Sequence, residues 1–212
     1  MIDKITIPII QREDRFIWNH SHDGDLSFKE AYLYHCTPDQ NVDWNKQVWH
    51  ASIPPSKSIM VWRCLHHKLP ADDNLRLRGC HIHSMCSLCC VDMETTEHLL
   101  FHCTFAMSIW NWLGGTLKIH CNFSNVTEAL NISRRNMSPL CRLVIMSAVI
   151  NCINVIWFSR NQRMFADKFI TLRSAINLVI AETCLAGNQS KLHAYSSIDE
   201  FVLLKAFPVK IN

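Results

Sequence analysis

Residues 86–103, Cys86-Ser87-Leu88-Cys89-Cys90-Val91-Asp92-Met93-Glu94-Thr95-Thr96-Glu97-His98-Leu99-Leu100-Phe101-His102-Cys103, contain the pattern Cys-x2-Cys-x8-His-x4-Cys. Zn²⁺ takes four soft or borderline ligands in a tetrahedron, and structural sites usually draw two of them from a tight Cys-x2-Cys turn. The other two must return from a separate element, which would clamp a knuckle onto a helix. Cys86, Cys89, His98 and Cys103 are therefore the candidate ligands, and Zn²⁺ the expected cofactor.

Spacing alone leaves the fourth ligand open. His98 and His102 lie four apart, one helical turn, and could chelate one ion from a single face. His98 and Cys103 are five apart, which requires a helix end or a bend near Phe101. Cys90 is an alternative to Cys89, although Cys-x3-Cys makes a looser knuckle. His81 and His83, just upstream, read as surface histidines.

The chain has 212 residues, enough apolar content for a core and a net charge of +3. A charge that small permits nucleic-acid contact without requiring it. Its 11 cysteines are an odd count, so they cannot all pair within the chain. The N-terminal apolar run Ile5 to Ile10, broken by Pro8, is too short for a signal peptide. Reduced thiols in nucleus or cytoplasm are expected, not secretion, and there cysteine pairs more often hold metal. The apolar run Leu143 to Phe158 includes Asn151 and Asn154 and falls short of the about 20 residues of a membrane span. A buried helix with no membrane partner is expected.

The rest reads as mainly α with a small N-terminal β-hairpin. Arg15 to Trp18 is strand-like, His22 to Asp25 supplies a turn, and Leu26 begins the return. Ser27 and Glu30 form a capping box that opens a helix, ended by Thr37-Pro38-Asp39. Pro54-Pro55-Ser56 starts another helix with Ile59, Trp62 and His66 at helical spacing. Asp72 or Asp73 caps a short one ending at Gly79. Phe105, Ile109 and Trp112 make a stripe that halts at Gly114-Gly115. Residues 114–137 read as a polar linker. Ser138-Pro139 then fits an N-cap and first helical position for a helix running through Leu143, Met146, Ile150, Ile153 and Trp157 to about Phe165. A further helix spans roughly Leu172 to Ala186, and an apolar tail carries Phe201, Leu204 and Phe207.

In order, these segments include Trp18 with Gly24, Leu26-Ser27-Phe28-Lys29, Ala31-Tyr32, Trp49 and Pro54-Pro55-Ser56-Lys57. They continue through Val61-Trp62-Arg63, Leu69-Pro70, Asn74-Leu75, Arg78-Gly79, Cys86, Cys89, Glu97-His98-Leu99-Leu100-Phe101, Cys103 and Trp110. Together they resemble the zinc-binding domain that follows the reverse transcriptase in plant non-LTR retrotransposons, over residues 14–113. The resemblance implies Cys103 as the fourth ligand. In the second half, Ile156-Trp157-x2-Arg160-Asn161-x3-Phe165 and Asp199-Glu200-Phe201 with Leu203-Leu204-Lys205 resemble the segment joining that domain to a ribonuclease H. Residues 138–212 are thus expected to be a helical connector. The chain ends where the ribonuclease H would begin, as expected for a truncated element product.

No catalysis is expected. A polymerase needs paired aspartates holding two metal ions, and Asp72-Asp73 read as helix caps. No ribonuclease H carboxylate cluster, phosphate loop or Gly-x-Ser-x-Gly is present. The expected function is a non-catalytic zinc-binding module from a retrotransposon polyprotein, with weak binding to RNA or DNA. Its expected partners are the reverse transcriptase and ribonuclease H domains of the parent. Lys57, Arg63, Lys68, Arg76 and Arg78 are the candidate phosphate contacts, while Asp92, Glu94 and Glu97 between the ligand pairs would repel phosphate. Trp49, Trp62, Trp110 and Trp112 could stack on bases, but at these spacings core packing is the expected role. The rival is a structural or protein-binding helical spacer in which zinc only holds the fold.

Overall fold

A capping box, Ser27 with Glu30, starts the first helix, α1 (Phe28–His35), as expected. The Glu30 N–H donates to Ser27 Oγ at 3.2 Å and the Ser27 N–H to Glu30 Oε2 at 3.1 Å. The structure, a computed structural model, describes residues 16–35, 44–134 and 136–210. They fall into two units, one up to Val42 and one from Asp43 onward. The expected hairpin ahead of α1 is not formed, and no strand occurs among the described residues. Instead the Trp18 N–H donates to the Gly24 carbonyl at 2.7 Å, closing a loop with Gly24 at φ 78°. Once Ser27 caps α1, only Asp25 and Leu26 remain as a return strand, too short to build a stable ladder. Trp18 packs edge-on against Tyr34 of α1, with ring centroids 5.0 Å apart. Arg15 and Thr37-Pro38-Asp39 lie outside the described residues.

The second unit is helical. It comprises α2 (Asn45–Val48), α3 (Pro55–Leu65), α4 (Asp72–Leu77), a π turn (His98–His102), α5 (Thr104–Leu117), α6 (Val126–Asn131), a 3-10 turn (Ile132–Arg134), α7 (Pro139–Ala166), α8 (Leu172–Gln189) and α9 (Ile198–Ala206). Helix α7 is its axis. Ser138 caps it, accepting the Cys141 N–H at 3.3 Å, with Pro139 in the first turn. Nearly every residue from Leu140 to Ile156 is buried. A helix apolar on all sides needs partners all round, and α2, α3, α5, α6, α8, α9 and the π turn supply them. By length and composition α7 could cross a membrane, but 83 % of its apolar stretch is buried inside the protein. Its polar Asn151 is fully engaged, donating to Ser147 Oγ and Thr183 Oγ1 and accepting from Lys57.

Residues 114–137, read as a polar linker, contain the end of α5, helix α6 and the 3-10 turn. Val126, Ala129 and Leu130 of α6 are buried. Helix α5 runs past Gly114-Gly115 to Leu117 and stops at Lys118, whose φ is 52°. Gly114 is retained because the chain folds back over it. A Cβ at that position would stand 2.7 Å from the Ile119 carbonyl oxygen.

Glu200 of α9 joins the end of the chain to the start of α7. Its buried carboxylate accepts the Ser138 N–H at 2.7 Å and the Tyr195 N–H at 2.8 Å. Burial pushes this carboxyl up, but the Ser138 N–H and hydroxyl with the Tyr195 N–H outweigh it and hold the group below its ordinary value. A carboxyl lowered on folding contributes stability above its unfolded pKa and loses it as pH falls through the folded value. Glu200→Gln is therefore expected to cost about 1–2 kcal/mol at neutral pH. Urea melts should show the gap from the parent closing in acid, and a constant gap would assign the loss to packing.

Candidate metal centre

The first ligand pair comes from a tight loop. The Cys86 N–H donates to the Asp92 carbonyl and the Cys90 N–H to the Cys86 carbonyl, both at 2.8 Å. Cys90 takes the left-handed conformation, φ 56°, that turns the chain back. Its side chain is exposed, while Cys86 is fully buried and Cys89 half-buried.

The second pair depends on the π turn. Thr95 opens it, its Oγ1 accepting the His98 N–H at 2.9 Å and its carbonyl the Leu99 N–H at 2.8 Å. The turn closes with the Cys103 N–H donating to the His98 carbonyl at 2.6 Å, a bond across five residues. An α-helix would align His98 with His102. The wider turn aligns it with Cys103 instead and leaves His102 exposed. The Leu100 carbonyl accepts the buried Trp110 indole N–H at 2.7 Å, so α5 locks the turn.

These two elements bring Cys86, Cys89, His98 and Cys103 together, their ligand atoms all within 4.8 Å of one another. The Cys86 and Cys103 sulfurs are 3.8 Å apart, and Cys89 Sγ is 3.3 Å from His98 Nε2. Tetrahedral zinc at about 2.3 Å from sulfur and 2.0–2.1 Å from nitrogen requires separations of about 3.8 and 3.6 Å. The donor set fits. His98 turns its other nitrogen, Nδ1, toward Asp92 Oδ2 at 3.8 Å, the side on which metal-bound histidines are commonly oriented by a carboxylate. The Cys86 thiol is raised first by the hydrogen bond it gives Cys103 and then by burial, and the same bond lowers Cys103.

Glu94, between the ligand pairs, does not face solvent. It is 1 % exposed and grips Arg160 of α7, itself 2 % exposed. Arg160 Nη2 donates to Glu94 Oε1 at 2.6 Å and Nε donates to both carboxylate oxygens at 3.1 Å. Asp72 approaches the same Nη2 at 3.5 Å. The Trp157 and Phe165 rings lie 5.0 and 5.8 Å from the guanidinium, and Asn161 accepts from Nη1 at 3.2 Å. The Trp157-x2-Arg160-Asn161-x3-Phe165 signature thus surrounds one cation that holds the metal loop.

Asp72 and Asp73, expected as helix caps, lie in the first turn of α4, where Asp73 accepts the Asn74 N–H at 2.8 Å, and both also reach beyond the helix. Asp72 joins the Arg160 cluster. Asp73 accepts the Thr96 N–H at 2.8 Å and Thr96 Oγ1 at 3.1 Å, fixing α4 to the entrance of the π turn. Arg160, Glu94 and Asp73 were not singled out as site residues. One signal was available: Arg160 falls three residues after Trp157 on an otherwise apolar stripe.

The five candidate phosphate contacts separate. Lys57 bridges helices, donating to Asn151 Oδ1 and Glu182 Oε2, each at 2.7 Å. Arg76 donates to the Ile82 carbonyl at 3.1 and 3.3 Å, bracing the approach to the knuckle. Arg63, Lys68, Arg76 and Arg78 are exposed, as are His81 and His83. Of the tryptophans, Trp110 is buried and Trp112 is partly buried, whereas Trp49 and Trp62 are 43 % and 40 % exposed.

Residues 26–110 match the family described as zinc-binding in reverse transcriptase. The match contains all four clustered ligands, and with the cluster it fits a zinc-binding module. No curated protein and no solved structure matches the chain.

Proposed function

We propose that the chain is a non-catalytic zinc module from a plant non-LTR retrotransposon polyprotein, and that its ion is structural. The cluster of four ligand atoms supports the structural ion, because four protein ligands fill a tetrahedral zinc site and leave no position for a reacting group, and the match over residues 26–110 supports the reverse-transcriptase origin. In the parent, the module would stand between a reverse transcriptase and a ribonuclease H domain, in nucleus or cytoplasm. The expected result is one zinc per chain by metal analysis, lost in Cys103→Ser and kept in His102→Ala. The reverse pattern would transfer the fourth ligand to His102.

Two readings of the module's role have separate support. The exposed cations Arg63, Lys68, Arg76 and Arg78 favour weak, sequence-tolerant contact with RNA or DNA. The inward-facing Lys57 and the sequestered Glu94 favour a spacer in which the ion only holds the fold. Salt dependence separates them, because each neutralised phosphate adds about 0.7–0.9 to the slope of log K against log salt.

A further inference from the structure

Helix α3 presents an arrangement that the metal centre does not use. Its buried side is Ser58, Met60, Val61 and Cys64. On the opposite side Ile59 and Trp62 are 42 % and 40 % exposed, although their spacing with His66 reads as a core stripe. The Trp62 and His66 rings meet at 4.7 Å between centroids, and His66 meets Trp44 edge-on at 6.3 Å. The three rings brace one another, so Trp62 is held with part of its surface open.

Cations flank this platform. Arg63 and Lys68 are exposed, and no carboxylate occurs between Pro54 and Ala71. His67 ends the helix at φ 52°, and the Lys68 N–H donates to the Arg63 carbonyl at 2.7 Å, bringing residue 68 back beside residue 63. Lys57, the other lysine of this stretch, is neutralised by Glu182.

We propose that this face binds single-stranded nucleic acid, with a base stacked on Trp62 and phosphates on Arg63 and Lys68. The proposal rests on the nucleic-acid reading above and adds to it a stacking platform, while removing Lys57. An aromatic surface beside unopposed cations matches the two features single strands offer, an open base face and a repeating phosphate. A duplex keeps its base faces stacked inside.

The test is fluorescence anisotropy of a labelled short oligothymidylate at low salt, with zinc content measured in every variant. Trp62→Ala should weaken binding about tenfold, within the range for one stacked base, and Trp62→Phe should retain most of it. Arg63→Ala with Lys68→Ala should lower the salt slope by about 1.4. Binding that survives Trp62→Ala unchanged, or equal affinity for a duplex of the same length, would overturn the stacking platform and leave phosphate contact standing. No binding at low salt by a zinc-loaded chain would overturn both this proposal and the nucleic-acid reading. Self-association abolished by Trp62→Ala, without oligonucleotide binding, would instead assign the face to a second copy.

Discussion

Removing zinc with a strong chelator is expected to cost residues 84–113 their amide protection while α7 and α8 keep most of theirs. Structural zinc supplies about 10–16 kcal/mol of apparent binding energy in small fingers, as much as the whole stability of an ordinary domain. The side chains of Glu94, Thr96 and Trp110 tie the far end of the stretch to Arg160, Asp73 and the Leu100 carbonyl, but the ligand loop has little local structure of its own. Its knuckle is closed by two backbone hydrogen bonds, at Cys86 and Cys90, and the π turn is a costly conformation outside its tertiary setting. Helices α7 and α8 instead share a core built around Val144, Ala148, Ala175 and Val179, all fully buried. Acid should act in the same direction, because thiolates and imidazole must shed protons to bind metal. Hydrogen exchange with and without chelator measures this directly. Unchanged protection over 84–113 would mean that the Cys/His cluster does not hold the fold.

The helices were legible where one local rule decided them. Ser27 with Glu30, Ser138-Pro139 and the apolar stripe from Leu143 to Trp157 each fixed an element without reference to the rest of the chain. The hairpin failed because a competing local rule, the Ser27 cap, took the residues that its second strand needed. The ligand set was half legible. Cys86 and Cys89 follow from a short-range turn, but helical spacing also admits His102. Only the π turn, fixed by Trp110 on Leu100 and by Thr95 at its start, excludes it from alignment with His98. Trp62 illustrates the opposite limit. Its spacing with Ile59 and His66 describes a stripe on α3, and a stripe does not reveal which side faces the core. Contacts across long sequence separations were invisible for the same reason, among them Lys57 with Glu182 and Arg160 with Glu94.

Arg160→Ala is expected to destabilise the second unit by about 3–5 kcal/mol, the usual cost of leaving a buried charge without its partner. Among the described residues no cation other than Arg160 pairs with Glu94. Asp72, buried beside it, would add like-charge repulsion once the guanidinium is gone. The pair itself need not be favourable, since two desolvated ions often gain little over well-packed apolar groups. Arg160→Met with Glu94→Gln should therefore recover much of the loss, with Asp72 the remaining unmatched charge. Zinc retention supplies a second measurement. Glu94 lies between the two ligand pairs, and its release should let the knuckle move relative to the π turn. Arg160→Ala should then surrender zinc to a competing chelator more readily than the parent, although it touches no ligand. Urea melts at saturating zinc, paired with chelator competition, keep the two effects apart. If Arg160→Ala melts within about 1 kcal/mol of the parent, Glu94 must find solvent or a proton at little cost. If the variant is destabilised but holds zinc as tightly as the parent, the cation acts only as a bolt between α7 and the loop. Loss of both would make the Trp157-to-Phe165 signature part of what the metal needs, placed in the half of the chain that contains none of its ligands.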